Sequence, residues 1–240
     1  FKAWFVDFEP VRANMAGRPS ASAPGALGDL FPARLVDSEL GEVPEGWRVG
    51  RLGDIVSRRG ERIRARQATV LSAVTTGELV VSDEFFTKRV YSKSIERYLA
   101  VEEWDFAYNP SRANIGSMGM LKRPILGAVS PAYVVFRPQS AYRWYLDFLL
   151  RGNSVSRWVD LLASGSVRQS LSYSDLASIP VVVPPPSVPP AFDELWEILR
   201  KGIDAAEDES RTLADMRDVL LPRLVSGELR VGDFEELAER

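Results

Sequence analysis

The 240-residue sequence contains no cysteine and no histidine. Without thiols there are neither disulfides nor thiolate metal sites, and without imidazole the commonest metal ligand and general base are gone. Nucleophile systems built on Ser/His/Asp or Cys/His are therefore excluded. A carboxylate-only metal site would need a convergent Asp/Glu cluster, and none can be picked out of the residue order. No apolar run reaches the ~18–20 residues that span a bilayer, and the opening FKAWFVDFEP is too short and too acidic for a signal peptide. These absences point away from an enzyme and toward a soluble chain, expected in the cytoplasm.

What is present is enough apolar material for a core, 45% of residues, and a net charge of −3 that conceals segregation. Residues 1–43 hold 4 Lys/Arg against 6 Asp/Glu, residues 44–185 hold 19 against 13, and residues 186–240 hold 7 against 14. A basic middle beside an acidic end fits a polyanion-binding module carried on a protein-binding spacer, with scattered surface charge as the plainer alternative.

The acidic end begins with a helix. From Pro190 to Leu224, Leu199, Ile203, Ala206, Ser210, Leu213, Arg217, Leu220 and Leu224 recur at 4-3-4-3 spacing, one narrow stripe of coiled-coil type that needs a partner. Leu199, Ile203, Leu213, Leu220 and Leu224 are the expected packing positions. At ~1.5 Å per residue the helix runs on the order of 50 Å, longer than a compact domain. The Pro-rich run Pro184 to Pro190 marks its start, Asp193, Glu194 and Glu197 suit its positive dipole end, and Pro222 is expected to kink or stop it. Packing on its own domain is the alternative.

Ahead of it, FKAWFVDF carries Phe1, Trp4, Phe5 and Phe8 at helical spacing, as though the chain began inside the last turns of a helix. From Glu9 to Gly46 the text is rich in Pro, Gly, Ala and Ser and reads as an extended linker, with a domain boundary near Pro44. Beyond Trp47, strands are expected at residues 69–74, 79–81, 106–108, 125–129, 133–136 and 181–183, with helices near 94–99, 142–150 and 155–162. The fold class is α+β: a mixed globule followed by a long helix.

Three stretches of the globule could carry chemistry. Arg48, Arg51, Arg58, Arg59, Arg62, Arg64 and Arg66 crowd one segment, and RRGERIRAR at its heart makes Arg58, Arg59, Arg62 and Arg64 candidates for phosphate contact, since a guanidinium donates two parallel hydrogen bonds. A second cluster holds Lys88, Arg89, Lys93 and Arg97 and could face the same partner. Either could equally be a solvated loop. In YNPSRANIGS, Arg112 and Asn114 sit in a polar turn, and in SGSVRQSL, Arg168 and Gln169 do the same; these four suit base edges. The Asn109-Pro110 pair invites comparison with the Asn-Pro-Pro-Tyr loop of amino-methyltransferases, but Ser111 and Arg112 replace its last two residues. No Gly-rich nucleotide loop follows an early strand.

Taken together, LVDSELGEVPEGWRVGRLGDI (35–55), AYNPSRANIGSMG (107–119), GSVRQSLSYSDLASIPVVVPP (165–185) and LLPRLVSGEL (220–229) resemble the specificity subunits of type I restriction-modification systems. The resemblance implies a C-terminal half. Residues 1–43 would be the end of the central conserved helix and a linker, 44–185 a DNA target-recognition domain, 186–226 the distal conserved helix, and 227–240 an acidic tail. It implies double-stranded DNA as ligand, and a second recognition domain or a second copy paired through antiparallel helices. It also implies a modification subunit supplying S-adenosylmethionine and a restriction subunit supplying ATP and Mg. The chain itself would hold no cofactor and catalyse nothing. An interaction scaffold binding nucleic acid without sequence preference is the other reading, and a stand-alone methyltransferase or nuclease is not expected.

Overall fold

The computed structural model describes residues 1–163 and 170–228. Its strands are β1 (Leu35–Ser38), β2 (Gly41–Pro44), β3 (Arg48–Arg51), β4 (Val56–Arg59), β5 (Thr69–Val74), β6 (Glu78–Val81), β7 (Leu99–Val101), β8 (Phe106–Tyr108), β9 (Met118–Met120), β10 (Gly127–Val129), β11 (Val134–Pro138) and β12 (Pro180–Val183). Its α-helices are α1 (Lys2–Phe5), α2 (Glu9–Met15), α3 (Ser82–Phe85), α4 (Arg143–Arg151), α5 (Asn153–Ala163), α6 (Tyr173–Ser178) and α7 (Val188–Val225). The expected α+β class and long last helix are both present. The chain divides into two compact units, residues 1–193 and residues 194–240.

In the first unit, two four-stranded sheets run β6-β5-β10-β7 and β4-β11-β8-β9, the second wholly antiparallel. Alternating side chains give each sheet one apolar inner face. Leu71, Val101 and Val129 from the first meet Ala107 and Val135 from the second in a buried cluster closed by Leu121. The outer face of the first sheet is covered as well: Ala100 and Ala128 lie buried beneath Ile63 and Tyr98, from the two segments that carry the basic clusters. This explains one departure from expectation. Residues 94–99 form no helix, because Tyr98 is drawn into extended pairing with residue 63 and Leu99 opens β7.

Residues 9–46 also depart from an extended linker. They carry α2, a 3-10 turn at Gly25–Leu30 and the β1-β2 hairpin. Glu9 explains part of this, because its carboxylate accepts from Ser20 Oγ (2.5 Å) and Ser22 Oγ (2.8 Å) and folds the Ser-rich stretch back on α2. Nor do the first residues continue as one helix: α1 ends at Phe5, and Phe8 turns the chain with φ +53°. The rings of Trp4, Phe5 and Phe8 are buried. Phe5 lies 5.0 Å from Tyr145, 5.4 Å from Phe192 and 5.9 Å from Trp47, centroid to centroid. That aromatic cluster is why residues 1–43 and 44–185 share one unit.

The second unit is helical. Arg200 pairs with Glu197 (3.0 Å) and Asp204 (2.7 Å), and Arg211 with Asp208 (3.1 Å), local pairs that hold a charged helix. Leu199, Ile203, Leu213, Leu220 and Leu224 fall within a sector of about 100°. Four of them are exposed, Leu199 at 61% and Leu213 at 59%, and Leu220 is half-buried. The helix continues through Pro222 to Val225, since a proline this close to the C-terminus interrupts little of the remaining helix.

Candidate nucleic-acid interface

The segments that carry the two basic clusters are joined by backbone pairing. Ile63 N–H donates to Tyr98 O and Arg64 N–H to Glu96 O, each at 2.9 Å, and Ala100 N–H donates to Glu61 O at 2.8 Å. This ladder, anchored by Ile63 and Tyr98, brings Arg62 and Arg64 alongside the segment of Lys93 and Arg97. Both arginines are exposed, and their guanidinium groups make no hydrogen bond or ion pair among the described residues. Arg64 holds φ +56°, a left-handed backbone costly for a side chain of this size. Arg66 is tied to Glu61 at 2.8 Å and to the Arg62 carbonyl at 3.0 Å. In the second segment Lys88 is exposed, and Arg89 lies over the Tyr91 ring at 4.5 Å, whose hydroxyl donates to Asp83.

Strand alternation separates Arg58 from Arg59. Arg59 reaches Glu102 at 3.5 Å, and the same carboxylate accepts from Arg137 at 2.8 Å. Arg137 Nε donates to buried Asp105 at 2.6 Å, and Asp105 also accepts the Glu102 N–H at 2.8 Å. Burial pushes the Asp105 carboxyl up, while its bonds to Asp105 and Glu102 push Arg137 up. These directions oppose each other across one contact. The permanent charge on Arg137 and the two hydrogen bonds to Asp105 keep the pair ionised at neutral pH. Arg59 is therefore already neutralised. Arg58 points the other way, over the Tyr173 ring at 5.9 Å, and is exposed.

The loop between β8 and β9 forms a third part. Asn109 Oδ1 accepts the Ser111 N–H at 3.1 Å and caps a 3-10 helix at Pro110–Ile115, so this Asn serves backbone. Arg112 and Asn114 are exposed on that helix, without side-chain partners among the described residues. Gly116 ends it at φ +81°, where a Cβ would lie 2.9 Å from Thr75 O. Behind the loop, Tyr108 is buried and its hydroxyl donates to Leu171 O at 3.1 Å, while Leu171 N–H donates to Pro110 O at 3.0 Å. Burial pushes the Tyr108 phenol well up, so it stays protonated and donates. These bonds bring the 109–116 loop against residue 171. Arg168 and Gln169 lie outside the described residues.

No protein-family model matches the chain. Two curated relatives do match. The type I restriction enzyme MjaIX specificity subunit of Methanocaldococcus jannaschii is 25% identical over 250 residues, covering 98% of this chain and 52% of that protein. The HindI specificity subunit of Haemophilus influenzae is 22% identical over 285 residues, covering 95% and 60% respectively. The chain is thus similar along nearly its whole length to type I restriction specificity subunits. It spans about half the length of the curated relatives it matches. Among solved structures, the HsdS subunit from Thermoanaerobacter tengcongensis is similar at 14% identity over 91% of this chain and 50% of that one, with a TM-score of 0.44. A type I R-M system assembly is similar at 15% over 74% and 49%, with a TM-score of 0.47.

Three sets of contacts were not visible in the residue order. The Glu102–Arg137–Asp105 set joins residues brought level only when β11 pairs with β8. Tyr173, under Arg58, opens α6, whose N-cap Ser172 Oγ accepts the Asp175 N–H at 3.1 Å. Arg143 lies over Trp104 at 4.9 Å, and Lys122 lies over Trp144 at 5.2 Å while pairing with buried Asp147 at 3.3 Å. Among the described residues no group of His, Cys, Asp and Glu is placed to hold a metal, and no helix is long and apolar enough to cross a membrane.

Proposed function

We propose that this chain recognises double-stranded DNA by sequence, as one half of a bipartite reader within a type I restriction-modification complex, and catalyses nothing itself. The observation that carries the reading is the match to specificity subunits along nearly the whole chain. The basic surface supports it in chemical terms. Arg62, Arg64, Lys88 and Arg89 offer sequence-independent phosphate contacts, with Arg58 close to the first two in sequence and without a carboxylate partner among the described residues. Arg59 contributes less, because Glu102 already holds it. Arg112 and Asn114 stand on a capped, tightly packed turn, the rigid mounting that base reading requires. Arg168 and Gln169 follow closely on the chain before Leu171 and complete the base-reading set.

The exposed stripe on α7 supports pairing with an antiparallel helix, supplied by a second recognition half or a second copy of this chain. The modification subunit docks there and brings S-adenosylmethionine; the restriction subunit brings ATP and Mg. The chain supplies the address, in the cytoplasm. Mapping modified adenines in the host genome with and without the gene tests this. Loss of one bipartite methylated motif on deletion is the expected result, and an unchanged adenine methylome overturns it.

A further inference from the structure

We propose that the cavity behind the base-reading loop is a binding site for a neutral purine ring. It lies between the 109–116 loop, the β5-β6 turn and α5, has a volume of about 240 Å³, and opens to solvent past Thr75, Asn114 and Ser156. Its inner wall is apolar and buried, formed by Phe106, Val155 and Val159. An apolar wall with a few polar groups at the mouth is the general form of a small-molecule site.

Three observations narrow the ligand. The volume falls below the ~300–1,000 Å³ of pockets that take drug-sized molecules, which suits one ring system. The charged side chains that line the cavity are paired with each other: Arg151 donates to Asp147 Oδ1 at 3.2 Å and to Gly77 O at 3.1 Å, while Lys122, outside the lining, also reaches Asp147 at 3.3 Å. A phosphate inside would have to break the Arg151–Asp147 pair to meet a cation. Asn114, by contrast, offers an unengaged amide at the mouth, and an amide matches the N6/N7 edge of adenine with one donor and one acceptor.

The walls are also held in place. Arg151 clamps the β5-β6 turn to α4, Ser117 Oγ donates to Ala73 O at 2.8 Å, and Gly119 packs so closely on β6 that a Cβ would lie 2.5 Å from the Glu78 carbonyl carbon. A cavity braced on these sides persists without a ligand. The proposal rests on the DNA reading above, with a purine turned out of the bound duplex as the occupant and a free nucleoside as the alternative that the test separates.

The test uses the full chain, with backbone amide NMR and adenosine as probe. Adenosine is expected to shift amides in residues 75–77, 113–117 and 155–159. Asn114→Ala should weaken the binding about tenfold, and Ser156→Trp, at an exposed rim position, should abolish it. Absence of adenosine shifts, or the same shifts with inorganic phosphate alone, overturns the proposal. The source is read separately, from 2-aminopurine placed in a bound duplex: brightening assigns the ring to DNA, whereas quenched emission beside adenosine shifts assigns it to a free nucleoside. Failure of the DNA reading shows differently, as duplex binding without sequence selectivity in the unsubstituted chain.

Discussion

Arg62 and Arg64 give the sharpest test of the phosphate surface, because they are exposed and unpaired among the described residues, while Arg59, three and five positions earlier, is held by Glu102. Each phosphate contact on B-DNA contributes about 0.9 to the slope of log affinity against log salt. Over a fourfold rise in salt, one contact therefore accounts for a ~3.5-fold loss of affinity and two for ~12-fold. Replacing both, as R62A/R64A, should flatten the slope by about 1.8, whereas Arg59→Ala should change it by less than about half a unit. Glu102→Gln should move it the other way, by freeing Arg59. The assay is fluorescence anisotropy with a labelled duplex of arbitrary sequence, titrated at several salt concentrations. An unchanged slope in R62A/R64A, or an equal drop in Arg59→Ala, would refute the assignment of phosphate contacts from exposure and pairing.

Other consequences follow from the same contacts. Arg112→Ala should relax selectivity at one base pair by about 1–3 kcal/mol while leaving the salt slope within one unit, measured with single-substituted duplexes. Phe5→Ala removes the ring that touches Tyr145, Phe192 and Trp47, and should cost about 3–5 kcal/mol in denaturant unfolding of the first unit. Glu9 is held at about 2 by the Ser20 hydroxyl first and the Ser22 hydroxyl and backbone next, against an ordinary 4.5. A lowered carboxylate stabilises above its unfolded pKa and loses that contribution as pH falls from 4.5 toward 2. The difference in unfolding free energy between the wild type and Glu9→Gln should shrink across that window, and a constant difference would contradict it.

Much of the fold was legible where local pattern and tertiary demand agree. Residues 69–74 and 106–108 are strands by composition alone, and the 4-3 stripe after the proline run predicts α7 to within a few residues of its observed bounds. The failures are equally physical. Residues 94–99 have helical spacing, but Tyr98 gains more by sealing the sheet against Ile63 than by closing a short helix. Strands β3, β4, β7 and β9 span three or four residues each and carry too little pattern to stand out. At the candidate interface, arginine density is visible in the sequence, but which arginines are free is not. That depends on a carboxylate at Glu102, some 40 positions from Arg59, and on strand alternation that turns Arg58 toward Tyr173.

The central claim is sequence-selective recognition of duplex DNA, and selection from a random duplex library with the full chain tests it most directly. The account predicts enrichment of one short half-site, weakened by Arg112→Ala and retained in R62A/R64A at low salt. Uniform recovery of all sequences, with affinity set by salt alone, would contradict it.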